Sequence, residues 1–315
     1  MRILILGAGA TGGYFGGRLA KAGVDVTFLV RPGRAETLAR DGLVVESPLG
    51  GFRCQVATVL EANAGYDAVV VACKAFDLES AMRAIEPAMK GTAVVLPLLN
   101  GLAHYDKLDQ MFGAERVLGG LCHIGVTLAP SGVVQHLNEA QYFTMGARAH
   151  SQIGVAQALH EEMCRGGFNP TLAQDISQDM WDKFVLLASY AGMTCLMRAP
   201  IGVIMRTVFG RQLMHAIIDE SEAVARRSGR APDAARMRAI RSELTLAGST
   251  GTSSMLRDMS AGRRTEHDHI LMDMVHRGEG IELPLLRSAH ASVQAVELLR
   301  DAGLPTRLDS PDRVM

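Results

Sequence analysis

The sequence predicts an α/β domain built on a doubly wound, mostly parallel sheet, followed by an all-α domain. Three observations carry that reading. Short runs rich in apolar and β-branched residues at positions 2–6, 25–30, 68–73, 93–98 and 117–121 alternate with helical patterns such as 12–22 and 78–89. The first run passes straight into Gly7-Ala8-Gly9-Ala10-Thr11-Gly12 and then into an amphipathic segment. Around Phe168 the strand texture stops, and helical periods with polar interruptions take over.

Each element follows from its pattern. Parallel strands joined by crossover helices are covered on both faces, so they read as unbroken apolar runs. After Ala173 the apolar positions recur at helical spacing over 177–196, 211–228, 233–246, 255–275 and 285–302, which predicts five helices. The domain boundary is set at residues 1–170 and 171–315. The tail 309–315 is expected to be loosely held.

Bulk properties exclude several classes of function. A chain of 315 residues is long enough for two domains with real cores. Its 32 basic and 33 acidic residues nearly cancel and form no basic block, and aromatics make up only 5%, which argues against nucleic acid as a partner. No apolar run reaches the roughly 18 residues of a membrane span, so no membrane is expected as a partner. The N-terminus opens on a strand pattern without signal-peptide anatomy. Cys54, Cys73, Cys122, Cys164 and Cys195 are scattered without C-x-x-C spacing, as expected of reduced thiols in a cytoplasmic protein. His267, His269 and His276 have no metal-site spacing and are expected to be solvated. The stretch "SPLGG" (47–51) and the Met-rich helices leave room for a homodimer interface.

Gly7, Gly9 and Gly12 satisfy G-x-G-x-x-G with a strand before and a helix after. The first glycine allows the tight turn, the second lets backbone approach a pyrophosphate, and the third lets helix pack on strand. Ala10 and Thr11 open the helix, whose N-terminus favours negative charge. This is the fingerprint of a Rossmann-like dinucleotide site, formed by Gly7, Ala8, Gly9, Ala10, Thr11 and Gly12. The second strand ends on Arg31, within Arg31-Pro32-Gly33-Arg34, where an NAD site usually carries Asp or Glu for the ribose 2′-OH. A carboxylate would repel a 2′-phosphate, whereas a guanidinium binds it with two hydrogen bonds. NADP (NADPH) is therefore the expected cofactor. The plain alternative is a solvated arginine at a strand end.

Further motifs extend along most of the chain: "CKAFD" with Lys74, "LLNGL" with Asn100 and Gly101, "WDKF" with Lys183, and "TSSMLRDMSAGRRTE" with Ser254 and Glu266. In this order and at these separations the set resembles the ketopantoate reductase (2-dehydropantoate 2-reductase) family. The resemblance implies reduction of ketopantoate by NADPH, within pantothenate biosynthesis, by a Rossmann domain and a helical substrate domain. It further implies that the glycine loop, Arg31, Lys74 and Asn100 hold NADPH. On the same grounds Lys183 is the general acid, Glu266 a carboxylate near nicotinamide and substrate, and Ser254 a ligand of the substrate carboxylate.

Residue chemistry agrees with those roles. Hydride addition to a ketone builds an alkoxide, and a positioned acid must meet that oxygen. Lys183 stands in the apolar run Trp181, Phe184, Val185, Leu186, Leu187 and Ala188, which predicts partial burial. The alternative is a lysine whose stem covers the core while its head stays in water. Lys74 and Asn100 follow the third and fourth strands, where ligands bind in open α/β sheets; an ordinary strand-end charge and a turn dipeptide are the bland readings. For Glu266 the bland reading is a contact with Arg263 or Ile270 on its own helix.

The chain also departs from the family. Asparagines that bind the polar groups of ketopantoate are replaced by Leu187, Ala191 and Ile201, and another, one turn after the glutamate, by Leu271. The stretch between Glu266 and Pro284 is shorter than usual, so a reshaped helix end is expected. Positions i, i+4 and i+8 share a helix face, so two of these changes lie beside Lys183. Ser189, Tyr190 and Thr194 are the nearby hydroxyls, with Ser189 and Tyr190 read as off the Lys183 stripe. The expected activity is reduction of a small-molecule 2-oxo acid, with the substrate itself left open. The alternatives are another β-hydroxyacid or imine-type dehydrogenase, or a non-catalytic NADP-binding sensor.

Overall fold

The computed structural model describes residues 1–306; the tail 309–315 lies outside the described residues. The chain forms two compact units, Met1–Asn100 with His104–Met180, and Gly101–Ala103 with the residues from Trp181 onward.

The first unit follows the alternating pattern of its sequence. β1 (Ile3–Leu6) leads to α1 (Ala10–Lys21), β2 (Val26–Leu29) and α2 (Pro32–Asp41). The short strands β3 (Leu43–Glu46), β4 (Phe52–Cys54) and β5 (Ala57–Val59) come next, then β6 (Ala68–Val71), α3 (Leu78–Ile85), β7 (Val94–Pro97) and α4 (Ala103–Phe112). The hairpin strands β8 (Gly119–Leu128) and β9 (Val134–Gly146) precede α5 (Ile153–Cys164) and β10 (Thr171–Leu172). One sheet is parallel throughout, in the order β5-β2-β1-β6-β7. Every residue of β1, β2, β6 and β7 is buried, as expected of strands covered on both faces.

The second sheet was not legible in the sequence. It runs β10-β9-β3-β4, with β8 antiparallel to β9. The run 117–121, expected as a fifth parallel strand, contributes one parallel bridge from Val117 to Val95 and then passes into the β8–β9 hairpin. Its apolar residues fit either sheet; hairpin pairing decides. β9 escaped notice because its centre, Leu137 to Tyr142, carries Asn138, Glu139 and Gln141 and is partly to fully open to solvent, which breaks the apolar run. Both ends of β9 are buried, and there Phe143 packs against Phe15 and Phe168 with ring centroids 5.0 and 5.4 Å away. Those rings join the main core of this unit.

The second unit is helical, from Trp181 of α6 (Ile176–Met197) through α7 (Ile201–Ile204), α8 (Gly210–Arg227), α9 (Ala234–Leu244), α10 (Ser254–Ser260), α11 (Asp273–Arg277) and α12 (Pro284–Asp301). The expected helix 255–275 is two helices. α10 stops at Ala261, and Gly262 turns the chain with φ of 66°, a conformation that suits glycine. The chain re-enters as a π-helical turn, Asp268–Met272, that runs into α11. Glu266 therefore sits in the break, just ahead of the turn. No helix of the described residues is long and apolar enough to cross a membrane.

Candidate active site

The polar groups of the first unit gather at one edge of its parallel sheet. The glycine loop follows β1, Arg31 follows β2, Lys74 follows β6 and Asn100 follows β7, so all four lie beyond the carboxyl ends of adjacent strands. The chain leaves β1 toward β2 and returns on the other side to β6. β1 and β6 thus form the topological switch point at which open α/β sheets bind ligands.

The glycine loop has the geometry of a phosphate cradle. Gly7 has φ of 93°, and its N–H donates to the Leu29 carbonyl at 3.0 Å. A Cβ on Gly12 would lie 2.1 Å from the Gly7 oxygen, so only glycine lets α1 start against this turn. Gly9 is different: nothing lies within 4 Å of the point its Cβ would occupy. The loop is open there, beside the first turn of α1, whose N–H groups have no carbonyl four residues back within the helix. Those residues fit a dinucleotide pyrophosphate.

The two arginines after β2 do separate jobs. The Arg31 side chain is 79% exposed and meets Asp77 at 3.2 Å. Arg34, one turn later, is half-buried; its Nε donates to the Ala8 carbonyl at 2.9 Å and its Nη1 to the Gly132 carbonyl at 2.8 Å. Arg34 thus braces the glycine loop against the β8–β9 turn. Its Nη2 is buried and has no hydrogen-bond partner among the described residues. Sequence reasoning passed over Arg34, although its spacing of one turn after the α2 N-cap was a usable signal. Lys74 is exposed, and Asn100 is partly buried in front of Gly101, whose φ is 77°.

In the second unit Lys183 is 7% exposed, inside α6, with Phe184 and Val185 fully buried beside it. Leu187 is partly buried, and Ala191 and Ile201 are buried. Glu266 is also buried. Its backbone carbonyl accepts from Ile270 N–H, and Arg263 pairs with Asp258. Ser254 opens α10. Ser253, the N-cap of that helix, accepts from Leu256 N–H at 3.1 Å and bonds the Thr194 hydroxyl at 2.8 Å. That bond sets the start of α10 beside α6, eleven residues or about 16 Å of helix rise from Lys183 and on the same face.

Of the three nearby hydroxyls, two are spent inside the fold. Ser189 bonds the Val185 carbonyl at 2.8 Å and Ser221 at 3.0 Å, and Thr194 bonds the Tyr190 carbonyl and Ser253. Tyr190 corrects the sequence reading. Seven residues after Lys183 it lies about 20° around the helix from it, so it shares the Lys183 stripe. Its hydroxyl lies 3.0 Å from where a Gly251 Cβ would be, in a neighbourhood shared with Ile201, and it has no hydrogen bond among the described residues. Burial pushes the phenol up to about 12, against a smaller opposing pull from Arg257, so it stays protonated at neutral pH.

The expected solvated histidines divide. His276 is exposed and His269 partly buried, but His267 is buried and lies against His290 of α12. Burial holds the His267 imidazole below its ordinary range.

Comparison with known proteins agrees with this architecture. The family described as Ketopantoate reductase PanE/ApbA matches residues 3–150, and its C-terminal counterpart matches residues 175–297. The uncharacterized oxidoreductase YkpB of Bacillus subtilis is 35% identical over 300 residues, covering 94% of this chain and 99% of its own. A PanE/ApbA family ketopantoate reductase from Ralstonia eutropha superposes with a TM-score of 0.86 at 28% identity, over 96% of this chain and all of its own. D-mandelate dehydrogenase, in a ternary structure with NADH and anilino(oxo)acetate, shares the fold with a TM-score of 0.85 at 20% identity, over 96% of this chain and all of its own.

Proposed function

The chain belongs to the ketopantoate reductase family, a family of NAD(P)-dependent oxidoreductases, and from that premise we propose that it is an NADPH-dependent reductase of a 2-oxo acid with a side chain more apolar than ketopantoate's. The company of Lys183 carries this reading. A buried lysine shares its helix face with Leu187 and Ala191, and Ile201 is buried in the same unit. Such a surface offers a proton to a ketone oxygen, yet gives a substrate hydroxyl few partners.

When bound, NADPH supplies hydride to the carbonyl carbon. Negative charge then develops on the carbonyl oxygen, and Lys183 Nζ donates the proton that quenches it. Out of water, the attraction between that ammonium and the oxygen is stronger than it would be at the surface. Glu266 orients the substrate, the Tyr190 hydroxyl donates on the Lys183 face, and Ser254, at the start of α10 farther along α6, meets the end of the substrate remote from the ketone.

Arg31 supports NADPH over NADH. Its contact with Asp77 is an exposed ion pair, of a kind that contributes only about 0–1 kcal/mol. A dianionic 2′-phosphate therefore displaces Asp77 at little cost. Lys74 and Asn100, beyond the ends of β6 and β7, hold the remainder of the cofactor. The enzyme works in the cytoplasm, where NADPH and reduced thiols coexist, and light scattering checks whether it is a homodimer.

Steady-state kinetics with ketopantoate and 2-oxoisovalerate, each with NADPH and with NADH, test the proposal. The expected result is a higher kcat/KM for 2-oxoisovalerate with NADPH. A clear preference for ketopantoate would return the chain to pantothenate biosynthesis and overturn the substrate part. Equal use of NADH, the dinucleotide bound in the D-mandelate dehydrogenase structure, would overturn the cofactor part.

A further inference from the structure

The π-helical turn after Glu266 brings together three side chains that the sequence separates. His290 Nε2, from α12, lies 2.9 Å from Asp268 Oδ1, and His267 Nε2 lies 3.5 Å from the same oxygen. One ligand atom from each residue falls within 4.8 Å of the other two. The imidazole rings are 5.0 Å apart and tilted by 35°. Around a tetrahedral zinc ion with bonds of roughly 2.0–2.1 Å, neighbouring ligand atoms are about 3.3 Å apart. The two separations to Asp268 bracket that value, and the two ring nitrogens, within 4.8 Å of each other, must close toward it to share one ion.

The surroundings also resemble an organised ligand set. His267 Nδ1 is 3.1 Å from the Thr265 hydroxyl, which can accept its proton and leave Nε2 with a lone pair. Thr265 is itself held, because its N–H donates to Glu297 Oε1 at 2.7 Å, and Arg300 pairs with the other oxygen of Glu297 at 2.6 Å. Outer contacts of this kind orient ligating histidines and set their basicity. Both histidines are buried, whereas the Asp268 side chain is 74% exposed, so solvent reaches one side of the cluster. Two nitrogen donors and one oxygen suit zinc-like transition cations and not magnesium or calcium, which take oxygen. π-helical turns recur at functional sites.

We propose that His267, Asp268 and His290 bind one divalent transition cation of the zinc class, with water in the fourth position. The cation clamps α12 to the turn that follows Glu266. This proposal is independent of the substrate and cofactor assigned above.

The test uses untagged full-length protein stripped with a chelator. Titration with cobalt(II) should produce d–d absorption that saturates at one ion per chain, and zinc should displace it. Zinc should also raise the Tm. Asp268→Asn changes an exposed side chain and keeps the fold; it should abolish the cobalt spectrum, as should His290→Gln. Thr265→Val should weaken zinc binding by ~10–100-fold. Cys164 Sγ, 3.7 Å from His160 Nε2, is a competing soft site in the other unit. A cobalt signal that survives both Asp268→Asn and His290→Gln would therefore overturn the proposal. So would the absence of any spectrum and Tm shift in wild-type protein, which would leave a hydrogen-bonded His–Asp–His cluster.

Discussion

The carboxyl edge of the parallel sheet and the Lys183 face of α6 both rise from apolar elements, but they present polar groups in different ways. At the sheet edge the work falls mainly to backbone: the turn at Gly7, the opening at Gly9, and the N–H groups of the first turn of α1. On α6 it falls to side chains, and of three hydroxyls near Lys183 two are consumed by helix packing. A backbone cradle depends on a few glycines and tolerates drift elsewhere. A side-chain face can exchange its ligands one residue at a time without disturbing the helix. This explains how the G-x-G-x-x-G loop can persist while Leu187, Ala191 and Ile201 make the second unit's face apolar.

The largest expected effect separates chemistry on α6 from binding at the sheet edge. Lys183→Ala should lower turnover by roughly 10²–10⁴ while NADPH affinity stays nearly constant. Lys183→Met, which keeps the buried stem, should behave alike and guards against a folding artefact. Normal turnover in both variants would remove Lys183 from the mechanism.

Next comes Arg31→Asp. Loss of a charge-assisted contact of about 1.5–3 kcal/mol should move cofactor preference toward NADH by roughly 10–150-fold. Titration calorimetry with both dinucleotides measures it. An unchanged preference would shift the phosphate contact to another group, Arg34 with its unpaired Nη2 being first to examine.

Two glycine variants sharpen the picture of the cradle. Gly12→Ala forces a Cβ onto the Gly7 carbonyl and should destabilise the fold by about 1–3 kcal/mol, seen as a lower Tm. Gly9→Ala enters open space, so Tm should hold while NADPH affinity falls. Equal Tm losses for the two would contradict the assignment of Gly9 to the ligand side.

The smallest expected effect tests the α6 face. Tyr190→Phe removes a hydroxyl without a hydrogen bond among the described residues, so stability should not change. If that hydroxyl bonds the substrate, kcat/KM should fall by about 2–12-fold, the worth of one neutral hydrogen bond of about 0.5–1.5 kcal/mol. The loss should be constant across neutral pH, because burial keeps the phenol protonated. An unaltered kcat/KM would place Tyr190 outside substrate recognition.

What the sequence determined by itself was set by local rules. Continuous apolar runs marked β1, β2, β6 and β7, and the glycine pattern with its flanking strand and helix marked the cradle. Helical periods located α6, α8, α9 and α12 within a few residues of their observed bounds. Each of these signals lies within a short window, where periodicity and backbone sterics act. Tertiary structure alone decided the rest. Val117 could continue a parallel strand or enter a hairpin, and pairing with β9 made the choice. Ser189 and Tyr190 are neighbours in sequence, yet one is spent on α8 while the other keeps an unbonded hydroxyl, because only the packing of α8 says which side of α6 is covered. His267 was expected in solvent until α12 brought His290 across from twenty-three positions away to bury it. Burial and hydrogen-bond partnership are properties of contacts between distant segments, and no local window contains both partners.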